Sequence, residues 1–209
     1  MKSLPMNIMT AHRLLSETIK GSPRVKHPVK LISHCEYVSD TIGETIRTIR
    51  EKGGYIPVDE GEMRCAGLLH DIGYCFAENP YLHPIIGGEF LRKRGLPRIA
   101  RIIETHTYTP ESIMYIGYKR NTNPDHWIPD TWDQVLIDYA SLISGRPGER
   151  ITPDEKFKRF REKRNAIFQR MIDHAEPRLR QEVGDVELLL LGRKDGFREY
   201  RILEEIKEK

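Results

Sequence analysis

The sequence predicts an all-α protein that folds as a single domain. Apolar residues recur at steps of three and four along most of the chain, which is the spacing of one face of a helix. The length of 209 residues suits one domain. With 38% hydrophobic and 31% charged residues, the composition is that of a soluble globular protein rather than a disordered or membrane-spanning one. We find no internal repeat and no low-complexity segment.

Four helices are predicted before residue 110. The first runs from about Pro28 to about Lys52 and carries an apolar stripe along its length. Asp59 is the predicted N-cap of the second, whose segment MRCAGLLHDIG is apolar nearly all round and should lie at the centre of the fold. The third begins near Pro84 and ends at Gly95, and the fourth begins at Pro97.

The second half of the chain has fewer clear signals. Residues 119–131 are rich in turn formers and predict a loop, after which Thr131 can cap a helix over about residues 132–144. Pro153 opens a long charged helix, and the pattern from about Gly184 is ambiguous between a helix and a short hairpin. The predicted inward side of the charged helix carries Phe157, Phe160, Ile167 and Met171.

Ionisable side chains fall on, or next to, helix faces that should be buried. They are His34, His70, Asp71, His83, His106 and Asp138. A single histidine on an apolar face is more often a hydrogen-bonded core residue than a ligand. A buried carboxylate is costly unless it is paired or binds a metal, so the combination favours a metal site. Imidazole and carboxylate ligands suit a divalent or iron centre, and four histidines with two aspartates are enough for two metals that share a carboxylate.

The order of these residues resembles the signature of the HD-domain superfamily of metal-dependent phosphohydrolases. Residues 70–73 read His-Asp-Ile-Gly, a variant of the central motif of that family, and His83 and His106 match the two extra histidines of its binuclear subgroup. The resemblance covers about residues 25–150. The stretch THT followed by LIDYASLISGR is similar to the bacterial diadenosine tetraphosphate hydrolase group. The GYP signature of the cyclic-di-GMP enzymes is missing.

The resemblance implies a helical HD-domain bundle with a metal site in its core. We assign residues 1–150 to this domain and residues 151–209 to a C-terminal helical extension packed on it. The resemblance implies two divalent ions of the Fe, Mn, Co, Ni, Zn or Mg type, with catalysis assigned to His70 and Asp71. In that scheme the first metal is bound by His34, His70, Asp71 and Asp138, Asp71 bridges, and His83 and His106 complete the second site.

The implied activity is hydrolysis of a phosphate ester or anhydride, in a nucleotide or dinucleotide, through a metal-activated hydroxide. An HD-fold diiron oxygenase that acts on a small polyol or phosphonate is the alternative, because it uses the same six ligands. A signalling module without catalysis is disfavoured, since no ligand position is vacant.

Three basic residues are candidates for substrate binding. Arg146 follows the Asp138 helix directly, where the resemblance puts a phosphate-binding arginine; the alternative is an arginine that meets the free carbonyls of a helix end. Lys119 and Arg120 open the predicted loop and could reach the site, or could be solvated there.

The expected partner is a small phosphorylated substrate, and we allow for a homodimer. The net charge of +3 is too weak to predict binding to nucleic acid. No membrane association or secretory signal is expected. The three cysteines form no CxxC pair, which favours a reducing cytoplasm over a disulfide framework.

Overall fold

A computed structural model describes residues 6–117, 129–145, 148–162 and 165–193. Over these ranges the chain forms nine α-helices and no β-strand, which confirms the all-α prediction. The helices are α1 (Ile8–Lys20), α2 (Pro28–Glu51), α3 (Glu60–Leu69), α4 (His83–Lys93), α5 (Pro97–Ile103), α6 (Thr109–Ile116), α7 (Trp132–Ile143), α8 (Pro153–Glu162) and α9 (Ala166–Leu190). No helix within the described ranges combines the length and the apolar character needed to cross a membrane.

Several helix boundaries follow from local sequence signals. The side chain of Asp59 accepts a hydrogen bond from the N–H of Glu62 at 2.7 Å and caps α3 as predicted. The hydroxyl of Thr131 likewise accepts from the N–H of Gln134 at 3.4 Å at the start of α7. Such caps satisfy backbone donors that have no partner inside the helix, so a helix starts where a capping residue stands.

The His-Asp pair lies at a corner rather than inside a helix. The sequence places both residues within an apolar helix, but α3 ends at Leu69, and a turn of 3-10 helix over Ile72–Cys75 follows. The corner fits closely against the start of α4, because a Cβ on Gly73 would lie 1.8 Å from the carbonyl oxygen of His83. Only glycine allows the two backbones to approach this far.

The most buried of the described helices is α7, while α3 is buried at Met63 and from Cys65 to Leu69, in line with its predicted central place. Every residue from Trp132 to Ile143 is buried, and α7 packs against α2, α3, α5, α8 and α9. Helix α2 contributes one apolar face to this core and exposes the other, as its stripe predicts. The inward face of α2 carries Cys35, Val38, Ile42, Ile46 and Ile49.

The predicted charged helix is in fact two helices, α8 and α9. The side chain of Asn165 accepts a hydrogen bond from the N–H of Phe168 at 3.0 Å and caps α9. Because α9 begins at its own N-cap, its inward face does not continue that of α8, and Phe168 is buried. Ile167, which was predicted to face inward, is 50% exposed. Phe157 and Met171 are buried as predicted.

Candidate metal centre

The fold brings five of the six predicted ligand residues together. They form two groups in which the ligand atoms lie within 4.8 Å of one another. The first group contains His34, His70 and Asp71, and the second contains Asp71, His83 and His106. Asp71 belongs to both groups, which is the arrangement expected of a carboxylate that bridges two ions.

The carboxylate of Asp71 lies at the middle of the histidines. Its Oδ2 atom is 3.8 Å from Nε2 of His34. Its Oδ1 atom is 3.0 Å from Nε2 of His83, 3.5 Å from Nε2 of His70 and 3.7 Å from Nε2 of His106. Each carboxylate oxygen therefore faces imidazole nitrogens, and all four imidazoles present Nε2 to the same carboxylate.

Backbone carbonyls fix the orientation of three imidazoles. In each case the Nδ1 atom lies at hydrogen-bond distance from a carbonyl oxygen three residues earlier. A carbonyl oxygen can only accept, so Nδ1 carries the proton and, in the neutral ring, Nε2 keeps a lone pair. The bonds run from His70 to Gly67 at 2.7 Å, from His83 to Pro80 at 2.7 Å and from His106 to Ile103 at 2.9 Å.

The lone pairs of the Nε2 atoms therefore face one another at the centre, with too few protons to form hydrogen bonds between them. The Nε2 atoms of His83 and His106 are 3.3 Å apart, and in neutral rings both are acceptors. Nε2 of His70 is buried and finds no hydrogen-bond partner in the described part of the chain. A cation bound by these nitrogens and by Asp71 removes the repulsion, and the Nδ1 bonds are those that metal-binding histidines usually make. The residues thus fit a divalent metal.

Burial and the neighbouring side chains set the ionisation of the ligands in the way that metal binding requires. Burial acts on the histidines. It lowers the pKa of His34 to about 4 and also lowers the pKa of His70 and His106, so these rings are neutral at pH 7. Burial alone would raise the pKa of Asp71, but the surrounding imidazoles, His70 first, hold it well below its ordinary value. Neutral imidazoles and an ionised carboxylate are the forms that bind a metal.

The sixth predicted ligand, Asp138, lies in neither group. Its Oδ1 atom accepts a hydrogen bond from the N–H of Thr107, and its Oδ2 atom is 3.6 Å from Nη1 of Arg178 on α9. Arg178 also donates to the carbonyl of Thr107 at 2.6 Å and to Glu182 at 2.9 Å. Thr107, next to His106, has a φ of 56°, which costs a residue other than glycine about 1–3 kcal/mol. Asp138 and Arg178 hold this strained residue, and a ligand role for Asp138 stays a prediction.

The predicted substrate-binding residues Arg146, Lys119 and Arg120 lie outside the described residues. The structure instead shows a basic residue that the sequence analysis missed, Lys156 on α8. Its ammonium donates to the carbonyls of Ser141 at 2.8 Å and Ser144 at 2.7 Å, at the end of α7.

Lys156 acts electrostatically on the metal centre. Its positive charge interacts with Asp71 and adds a smaller contribution to the lowered pKa of His34 and His70, whose main cause is burial. Burial lowers the pKa of Lys156 itself to about 8. Its position in a highly charged segment hides it from sequence reasoning, because neighbouring lysines and arginines of α8 are exposed.

Comparison with protein families identifies the fold around this centre. The model of the HD domain matches residues 24–157, which is more than half of the chain and includes all six predicted ligands. The chain belongs to the HD-domain family. HD domains bind divalent metals and are typically metal-dependent phosphohydrolases, so the family indicates a metal-dependent hydrolase. Neither the search of curated proteins nor that of solved structures finds a match.

Proposed function

We propose that this HD-domain protein is a metal-dependent phosphohydrolase that cleaves a phosphate ester or anhydride in a nucleotide. The observation that carries the proposal is the set of Nε2 atoms around the ionised Asp71 carboxylate, within reach of the charge of Lys156. A centre of this kind combines metal ligands with a cation for an anionic substrate.

The two ligand groups assign the ions to residues. His34, His70 and Asp71 would hold one ion, and Asp71, His83 and His106 would hold another. When bound, divalent ions supply Lewis acidity that ionises a water near neutral pH and neutralises charge on the phosphoryl group. The carbonyls behind the imidazoles keep the ligand nitrogens turned inward, and the low pKa of Asp71 keeps its carboxylate ionised.

Lys156 is the residue that we assign to the phosphate. Two of its three ammonium protons are used by the carbonyls of Ser141 and Ser144, which leaves one for an anion. With a pKa of about 8 the side chain is mostly charged at pH 7. Because a deprotonated Lys156 would no longer attract the phosphate, activity should fall as the pH rises through about 8.

Cysteine is not the nucleophile of the proposed reaction. Burial, followed by the charge of Asp71, raises the pKa of Cys35 well above its ordinary value. Burial raises the pKa of Cys75 to about 11. Both thiols are therefore protonated at neutral pH, and a thiol attacks phosphorus poorly compared with its thiolate. Water remains as the nucleophile.

The test is phosphate release by the purified full-length chain in an oxygen-free chamber. The protein is stripped of metal, reloaded with manganese, iron, cobalt or magnesium, and assayed on a panel of nucleotides, dinucleotides and phosphomonoesters. We expect turnover with at least one redox-inert ion, loss of turnover in Asp71→Asn, and retention in His12→Asn, a matched change of a histidine outside the centre that pairs with Glu36.

Two results would overturn the proposal. If no substrate of the panel releases phosphate with any ion, the protein is not a phosphohydrolase of this class. If product forms only with both oxygen and iron, the diiron oxygenase alternative takes its place.

A further inference from the structure

The five converging ligands differ in their exposure to solvent. The side chains of His70, His83 and His106 are 1–2% exposed, and that of Asp71 is 11% exposed. The side chain of His34 is 19% exposed and is the most accessible of the five. A substrate therefore has its best access to the centre on the side of His34.

A groove of about 930 Å³ opens at His34. We call it the basic groove. Its inner wall includes His34 and Tyr74, and the ring of Tyr74 stacks on that of His83 with 3.8 Å between the ring centres. The groove is therefore lined by His34, which belongs to the first ligand group, and by Tyr74, whose ring contacts His83 of the second group. Its outer wall is formed by residues 23–27, between α1 and α2, and by the first turns of α2.

Positive charge dominates the walls of the basic groove. Arg24, Lys26 and Lys30 line it, against one carboxylate, that of Glu78, which lies 3.8 Å from Arg24. Lys26 and Lys30 are exposed and form no ion pair within the described ranges. Lys30 stands four residues before His34, so both lie on the same face of α2, with about 5–6 Å between their Cβ atoms. A free ammonium thus stands one helical turn from the most accessible ligand.

From this placement we propose that Lys26 and Lys30 bind a second phosphate of the substrate, next to the phosphate that is hydrolysed at the centre. The inference rests on the proposed function and makes it more specific: the substrate contains at least two linked phosphates. Water adds its oxygen to the phosphorus at the centre, the bridging P–O bond breaks, and its electron pair leaves with the phosphate in the basic groove. One proton of the water passes to solvent and the other stays on the product phosphate or also passes to solvent.

A simpler effect of the same lysines would be general attraction of anions. General attraction depends on net charge and acts on every anion, falling off with salt. A binding subsite instead distinguishes an anion that spans two positions from one that occupies only the centre. Pyrophosphate is more highly charged than orthophosphate, so general attraction also changes the ratio of their affinities. The ratio therefore separates the two effects only when it is compared with that of a variant that loses the same charge elsewhere.

The experiment compares two double variants of the metal-loaded full-length chain. Lys26→Gln/Lys30→Gln removes the lysines of the basic groove, and Lys20→Gln/Lys93→Gln removes two exposed lysines elsewhere, so both variants lose the same charge. Binding of pyrophosphate and of orthophosphate is measured by calorimetry, with metal content and melting temperature as checks. Loss of a charge-assisted hydrogen bond weakens binding by roughly tenfold to hundredfold.

We expect the groove variant to bind pyrophosphate at least about tenfold more weakly and orthophosphate less than about threefold more weakly, with the control near the parent. Equal weakening for both anions, or the same loss in the control, would overturn the subsite and leave only general attraction. Calorimetry needs no turnover, so failure of the protein to release phosphate from any substrate would contradict the proposed function and not this result.

Discussion

Replacement of Gly73 by alanine is the most direct test of how the fold positions the metal centre. A Cβ at residue 73 would lie 1.8 Å from the carbonyl oxygen of His83 and 2.7 Å from the backbone nitrogen of Gly87. Real Cβ atoms essentially never approach a neighbour within 3.0 Å. The two backbones must therefore separate by at least about 1.2 Å, the difference between 3.0 and 1.8 Å.

This displacement is large compared with the tolerance of a metal site. Ligand distances are met within about 0.2 Å, so a shift of 1.2 Å or more exceeds the tolerance about sixfold. His83 moves relative to Asp71, two residues before the substitution, and the group of Asp71, His83 and His106 loses its geometry. Overpacking of this kind also costs about 1–3 kcal/mol, at about 2–4 °C in melting temperature for each kcal/mol in a domain of this size.

The assay is metal content by elemental analysis after reloading, together with thermal unfolding in the presence of a chelator. Gly184→Ala on α9 is the matched control, because no atom lies within 4 Å of the added Cβ and alanine is the better helix former. We expect less metal and a lower melting temperature in Gly73→Ala alone. If Gly73→Ala keeps the metal content and the melting temperature of the parent, the contact does not position His83 and the reasoning fails.

Three further outcomes follow from the same contacts. Asp71→Ala should lose metal from both groups because both use this carboxylate, and full occupancy by elemental analysis would contradict the bridge. Arg178→Met leaves buried carboxylates without their cation and should cost about 3–5 kcal/mol in urea unfolding. The exposed Arg180→Met should cost less than about 1 kcal/mol, and equal losses would refute the difference. Burial raises the pKa of Asp133 from 3.8 to about 6. The protonated side chain therefore stabilises the folded state fully below pH 3.8, and this stabilisation is lost as the pH rises to about 6. Asp133→Asn should remove this loss of about 3 kcal/mol from the pH dependence of unfolding, and an unchanged pH dependence would contradict it.

The convergence of the ligands could be predicted because it depends on helix periodicity and on a local motif. His34 lies on the inward stripe of α2, and His106 lies in the turn that follows α5, three residues beyond Ile103. Positions three and four residues apart share a face, so the stripe turns His34 toward the core, and the turn closed by the N–H of His106 on the carbonyl of Ile103 does the same for His106. The caps at Asp59 and Thr131 were equally predictable, because a capping residue acts within its own turn.

Helix α1 was missed although its signal is present in the sequence. Ala11, Leu15 and Ile19 recur at steps of four, and all three are fully buried in the core. Asn7 caps the helix by accepting from the N–H of Thr10 at 2.9 Å. Polar residues between the apolar ones obscure the pattern, so only a search for a narrow stripe would have found it.

Lys156 and Arg178 could not be identified in the same way. Both lie in strongly charged helices, where many lysines and arginines have the same sequence signature. Whether Arg178 turns inward depends on the phase of α9, and that phase is set by the start of the helix at its N-cap, Asn165. The error at Ile167, predicted inward and found exposed, comes from the same helix start.

The C-terminal helices supply cations to buried carboxylates, including Asp138 of α7, Glu182 of α9 and the predicted ligand Asp71. Asp138 and Glu182 are buried. Burial, followed by the charge of Glu182, raises the pKa of Asp138, and burial, followed by the charge of Glu111, raises the pKa of Glu182, while Arg178 opposes both shifts. Lys156 meets the carbonyls at the end of α7, the negative end of that helix, and interacts with Asp71. Buried charges are tolerated only when they are paired. We therefore propose that α8 and α9, which start inside or just beyond the matched HD-domain residues 24–157, fold together with the rest of the domain and complete its site.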